Sequence, residues 1–176
     1  LGRGAEARRD LERAVRLEPR SWSAHKALGD LLAAQGRTGE ALKRLRRVSA
    51  LAPTTVSHLM DLARLALRAG RPAEALKALG RALELDAGYA EARALAAQAH
   101  FARGDAAAAR READAALASP RPPGRAFLVR GTLRGEAGDA AGQAEDFRRA
   151  LELDPGLFDA AQRRALEGLL AGGGKP

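Results

Sequence analysis

The stretch WSAHKALGDLLAAQGRTGEALKRLRRVSALAPTT, residues 22–55, decides how this chain folds. It reads as two helical segments divided by Gly36-Arg-Thr-Gly39, with Pro53 closing the second. His25, Leu28, Gly29 and Leu32 precede the division; Ala41, Leu45 and Val48 follow it. Spacings of three, four and seven put each set on one helix face. Glycine is the residue that least resists the left-handed angle at a helix end. Proline ends a helix and biases its predecessor away from helical angles.

The pattern is not local. Gly2, Gly36, Gly70, Gly104 and Gly138 are each separated by 34 residues. Ala7, Ala41, Ala75 and Ala109 keep the same period, as do Ala14, Val48, Ala82, Ala116 and Ala150. Pro19, Pro53 and Pro155 keep it too, with Ala87 and Arg121 in the proline place of the other copies. A fixed period of this length marks a stack of supersecondary units, each unable to bury its apolar face alone. Small residues at recurring positions, among them Gly29 and Gly131, predict close helix crossings, since Gly inside a helix costs about 1 kcal/mol relative to Ala.

Trp22, His25, Leu28-Gly29, Leu32, Gly36, Ala41, Leu45, Val48 and Pro53 together resemble the tetratricopeptide repeat family. The resemblance extends over nearly the whole chain. It implies an all-α fold, a right-handed α-solenoid of stacked antiparallel helix pairs in 34-residue repeats. Whole repeats are expected at 22–55, 56–89, 90–123 and 124–157. Residues 1–21 read as the second helix of a partial repeat, 158–171 as a capping helix and 172–176 as a flexible tail. The copy at 90–123 is degenerate: Ala96, Ala113 and Ser119 replace larger apolar residues. Its end, Ser119-Pro-Arg-Pro-Pro-Gly124, has three prolines without backbone donors, so the weakest junction is expected around 113–126. Because the chain starts on a second helix, it is expected to be part of a longer protein.

Composition agrees with close-packed helices. The 176 residues are 46% hydrophobic but only 3% aromatic, so Ala, Leu and Val fill the interior. Ala and Leu are strong helix formers, whereas strands favour β-branched and aromatic residues. The absence of cysteine excludes disulfides and thiolate metal sites. No apolar run approaches the roughly 18 residues of a membrane span. The residues fix no compartment; a bacterial cytoplasm or periplasm is consistent with them.

The net charge is +8, carried mainly by arginine. Arg13, Arg47, Arg81 and Arg149 recur in register on the second helices, as do Arg9, Lys43, Lys77 and Arg111. The resemblance makes this the convex, solvent-facing side, and a solvated face is the expected reading. Nucleic-acid binding is not expected, because base stacking needs exposed aromatics and the chain has one Trp, one Tyr and four Phe.

The resemblance puts the first helices on the concave side. Partner-binding candidates there are Lys26, Asp30, Met60, Arg64, Leu67, Arg68, Gln98, Phe101, Leu128 and Thr132. Apolar anchors mixed with both signs of charge suit a peptide or protein segment. One subgroup of the family clamps a C-terminal carboxylate with Lys, two Asn, Lys and Arg. Here Lys26 matches, but Asp30, Asp61, Glu91 and Leu95 occupy the other places, so that ligand is not expected. His25 and His100 are expected in the core. His58 and Asp61, three apart on one helix, have no third metal ligand in view. No catalytic residue, cofactor or metal is expected.

A non-catalytic adaptor that holds a protein segment in its groove is therefore the leading expectation. The alternative is the repeat region of a larger enzyme, or of an envelope, pilus or secretion assembly factor. Self-association through the open N-terminal helix, with Leu11, Val15 and Leu17, is a further expectation.

Overall fold

The computed structural model describes residues 2–172 and is helical nearly throughout. The tail expected from residue 172 onwards lies, apart from Gly172, outside the described residues. The chain divides into two compact units, residues 1–86 and 87–176.

The first unit holds α1 (Gly2–Leu17), α2 (Trp22–Ala34), α3 (Thr38–Leu51), α4 (Val56–Arg68) and α5 (Pro72–Leu85). α2 packs on α3 and α4 on α5 as antiparallel hairpins, with α1 against α2 and α3 against α4. The second unit holds α6 (Ala90–Ala102), α7 (Ala106–Leu117), α8 (Gly124–Glu136), α9 (Ala140–Leu153), a 3-10 turn (Pro155–Leu157) and α10 (Ala160–Gly172). α6 pairs with α7 and α8 with α9, while α8 also meets α6 and α7.

The turns explain the periodic glycine. Gly36, Gly70, Gly104 and Gly138 have φ of 74°, 67°, 77° and 84°. In each case the next residue's amide reaches back to close the helix end: Arg37 N–H to Leu32 O at 2.9 Å, Arg71 to Ala66 at 2.8 Å, Asp105 to His100 at 3.0 Å and Asp139 to Arg134 at 2.9 Å. This six-to-one closure satisfies a carbonyl that the helix cannot. The following helix is started by a side-chain cap at Asp105, which accepts from Ala108 N at 3.0 Å, and at Asp139, which accepts from Gly142 N at 2.8 Å. α5 instead begins on Pro72, whose missing N–H has no partner to lose at that position.

Close crossings account for the small residues. Ala41, Ala75 and Ala109 are fully buried, as are Val48, Ala82, Ala116 and Ala150. A Cβ on Gly29 would lie 3.3 Å from Arg44 Cβ. On Gly131 it would come within 2.8 Å of the Phe147 ring. The region expected to be the weakest junction is packed: Ala94, Ala116 and Ala126 form a buried cluster with Leu117 against it. Among the described residues, no helix is long and apolar enough to cross a membrane.

Candidate functional site

The first-helix faces carry two sets of side chains, one in each unit. In the first unit, Lys26 on α2 reaches Asp30 one turn on, at 3.1 Å, and Asp61 on α4, at 3.0 Å. Arg64 Nη1 lies 3.9 Å from the other oxygen of Asp61. Burial pulls the Lys26 ammonium pKa down, but hydrogen bonds and charge from Asp61 and Asp30 outweigh it and hold the pKa above its usual value. Leu67 is half-buried and Arg68 exposed on the same helix. α2 and α4 are thus cross-linked by a charge network that leaves an aliphatic side chain beside two arginines.

This arrangement bears on carboxylate capture. Lys26 is already matched by two carboxylates, so a ligand carboxylate would have to compete with Asp30 and Asp61 for it.

Met60 is a correction to the candidate set. It is 1% exposed and belongs to the interior, not to a ligand surface. α4 buries His58, Leu59, Met60, Leu62, Ala63, Leu65 and Ala66, which is more than a single stripe. A helix covered on several sides has little face left to offer.

In the second unit, Gln98 on α6 accepts from Arg125 Nη1 on α8 at 2.8 Å. Phe101 is half-buried against Ala97, Ala109, Ala113, Val129 and Leu133. Leu128 is half-buried, and its carbonyl accepts the Thr132 hydroxyl at 2.9 Å. That bond uses the hydroxyl proton, so Thr132 keeps only its acceptor lone pairs for a ligand.

His25 and His58 are buried in the packing, whereas His100, expected in the core, is only partly buried. His25 is 5% exposed and donates Nε2–H to Pro19 O at 3.1 Å. His58, also 5% exposed, lies 4.7 Å from the Trp22 ring. His100 Nδ1 sits 3.6 Å from Asp105, at the turn after α6. Among the described residues, no group of three His, Cys, Asp or Glu side chains could hold a metal ion.

Sequence reasoning missed one buried polar centre. Asp146 on α9 is 1% exposed. Arg130 on α8 grips it with two hydrogen bonds, 2.9 and 2.7 Å, and Arg134 adds a third contact at 3.1 Å. The Asp146 hydrogen bonds raise the Arg130 pKa further above its usual value. The Arg130 guanidinium also stacks over Phe127, 5.5 Å from the ring centre. A signal for the pair was present: Arg130 stands where the equivalent positions carry Leu28, Leu62 and Ala96, while Asp146 stands where they carry Arg44, Ala78 and the acidic Glu112.

Sequence profiles of the tetratricopeptide repeat match residues 1–54 and 66–126, well over half of the chain together. The chain belongs to the tetratricopeptide repeat family. Solved structures of tetratricopeptide repeat proteins share the fold. MamA is 20% identical with a TM-score of 0.73, the match covering 88% of this chain and 90% of that one. YrrB, a TPR protein with an unusual peptide-binding site, is 18% identical with a TM-score of 0.69, covering 88% and 79%. TTC0263, a thermophilic TPR protein of Thermus thermophilus, is 21% identical with a TM-score of 0.69, covering 97% and 92%. At such identities the likeness concerns the fold. No curated protein sequence matches the chain significantly.

Proposed function

We propose that this tetratricopeptide repeat chain is a non-catalytic protein-interaction scaffold, holding a peptide or extended protein segment against its first helices. The repeats are assigned to 22–55, 56–89, 90–123 and 124–157. Residues 1–21 are the second helix of a partial repeat, and 158–171 are a cap. The observation that carries the reading is the same mixture on both units. Leu67 lies beside Arg64 and Arg68 in the first, and Phe101 and Leu128 accompany the Gln98–Arg125 pair in the second. Apolar anchors flanked by polar groups are what a peptide-binding helix face needs. YrrB's peptide-binding site supports the assignment. The contact residues are Lys26, Asp30, Arg64, Leu67, Arg68, Gln98, Phe101, Leu128 and Thr132, without Met60. Engagement of His25 and His58 in packing supports a non-catalytic role, and the scarcity of aromatics supports a protein rather than a nucleic-acid ligand.

Peptides selected on the chain from a displayed random library test this. Binding should fall roughly tenfold or more with Arg64→Glu plus Arg68→Glu or with Phe101→Ala. Selected peptides that bind both variants as well as they bind the parent would remove the first-helix face from consideration. Self-association through α1 is a separate proposal. Leu17 is 72% exposed, and a sedimentation coefficient that rises with concentration would support it.

A further inference from the structure

The second helices of the first unit carry a surface that the scaffold reading does not use. α3 and α5 border a cleft of about 400 Å³. Its floor is apolar, with Leu59, Leu62 and Ala78 at 1%, 7% and 4% exposure. Its walls are cationic, with Arg46 from α3 and Lys77 and Arg81 from α5. Lys77 and Arg81 are four residues apart and therefore share a helix face.

The charge balance of this cleft is uneven. Glu74 is the carboxylate that lines it, and Arg46 already holds it through bonds of 2.6 and 2.8 Å. Arg71 lies a further 3.7 Å from Glu74. Lys77 has no ion-pair or hydrogen-bond partner among the described residues, and Arg81 meets the Pro53 carbonyl at 3.4 Å. Lys43, Arg44 and Arg47 line an adjoining cleft that shares Arg46, and none of the three is paired among the described residues. A solvated helix face ordinarily intersperses carboxylates one turn from its cations. Glu40 and Glu84 do stand one turn from Lys43, Arg44 and Arg81, but Arg37 holds Glu40 and Arg46 holds Glu74, which leaves Lys77 at this cleft, and Lys43, Arg44 and Arg47 beside it, without an ion-pair partner among the described residues.

The geometry points to this cleft as a docking site for an acidic peptide segment that carries an aliphatic side chain. The aliphatic group would cover Leu59 and Leu62, while flanking carboxylates would meet Lys77 and Arg81 and the cations of α3. Charge complementarity supplies encounter and register; Leu59 and Leu62 are already almost fully buried, so the aliphatic stems of Lys77 and Arg81 supply most of the apolar area. A nucleic acid fits less well. No Phe, Tyr or Trp lines either cleft to stack a base, and an apolar floor gives nothing to a phosphate chain.

The test uses the whole chain and a fluorescent Glu-rich peptide of about twelve residues with leucines four apart, read by anisotropy. Lys77→Glu with Arg81→Glu should weaken binding at least about tenfold. Ala73→Trp, at a position lining the same cleft, should weaken it comparably without changing charge. The same peptide with serine for leucine should bind more weakly. Arg110→Glu with Arg111→Glu, exposed on α7 of the second unit and outside the proposed contact set, should leave affinity unchanged, which separates this site from a mere effect of net charge. Three results would overturn the proposal. One is wild-type affinity in a folded Lys77/Arg81 or Ala73 variant, and another is equal binding of the serine peptide. The third is binding of single-stranded DNA or phosphatidylserine vesicles where the peptide fails.

Discussion

Residues 1–86 and residues 87–176 repeat one hairpin plan, yet they fill it with different material. The first unit fully buries Leu28, Leu42, Val48, Leu59, Met60 and Leu79; in the second, the largest fully buried side chains are Leu95 and Asp146. Ala92, Ala94, Ala97, Ala99, Ala109, Ala113, Ala116, Ala126 and Ala150 make up most of the rest there. Apolar burial stabilises by about 25 cal/mol per Å². A leucine interior therefore gains more per residue than an alanine one, which must rely on close backbone approach and on its ion network. The difference shows that the 34-residue period sets where helices cross, while the large side chains between the crossings set how much each hairpin gains.

The leucine-filled unit carries the largest expected effect. Leu79→Ala in the first unit should cost about 3–4 kcal/mol by urea unfolding, because transfer and cavity losses add in a leucine-packed interior. In the second unit, Asp146→Ala should cost roughly 2–4 kcal/mol. It strips two arginines of their shared partner, though both can still reach water. If Asp146→Ala proves neutral, the ion network adds nothing net and the second unit is held by its apolar packing. Gly131→Ala should cost about 1–2 kcal/mol despite its better helix propensity, since the new methyl meets the Phe147 ring. A stabilised Gly131→Ala protein would show that this crossing has slack.

Arg46→Ala should have the smallest effect, below about 1 kcal/mol, because Arg46 is half-exposed at 48%. Its signature is a titration. The Arg46 hydrogen bond is the main cause holding the Glu74 pKa below the usual carboxylate value. A group lowered in the folded state stabilises above its unfolded pKa and loses that contribution as pH falls through the folded one. NMR titration should therefore show the Glu74 pKa rising towards the ordinary range in Arg46→Ala. An unmoved titration would mean that the pair does not form.

Much of this was legible because it is periodic. The glycine turns and the buried alanines follow from register, and the family resemblance implied the packed His25, though it also put the half-buried His100 in the core. Two features were not. Met60 sits at a spacing that shares a face with Arg64 and Leu67, but period reports which residues share a face, not how many neighbours cover it. Asp146 reads as one more polar helix residue, and only its joint departure with Arg130 from the repeat pattern betrays the pair. The cleft between α3 and α5 was hidden for a related reason. The arginine and lysine rows are visible in sequence, whereas the capture of Glu74 by Arg46 depends on residues 28 apart.

The four glycine turns carry one more consequence. At Gly36, Gly70, Gly104 and Gly138 a Cβ would find nothing within 4 Å, so an alanine would have room at each. What forbids it is handedness, since an L-residue is strained at those positive angles. Chirality rather than crowding thus reserves these positions, and a mirror-image alanine would suit them while narrowing the choices open to the unfolded chain.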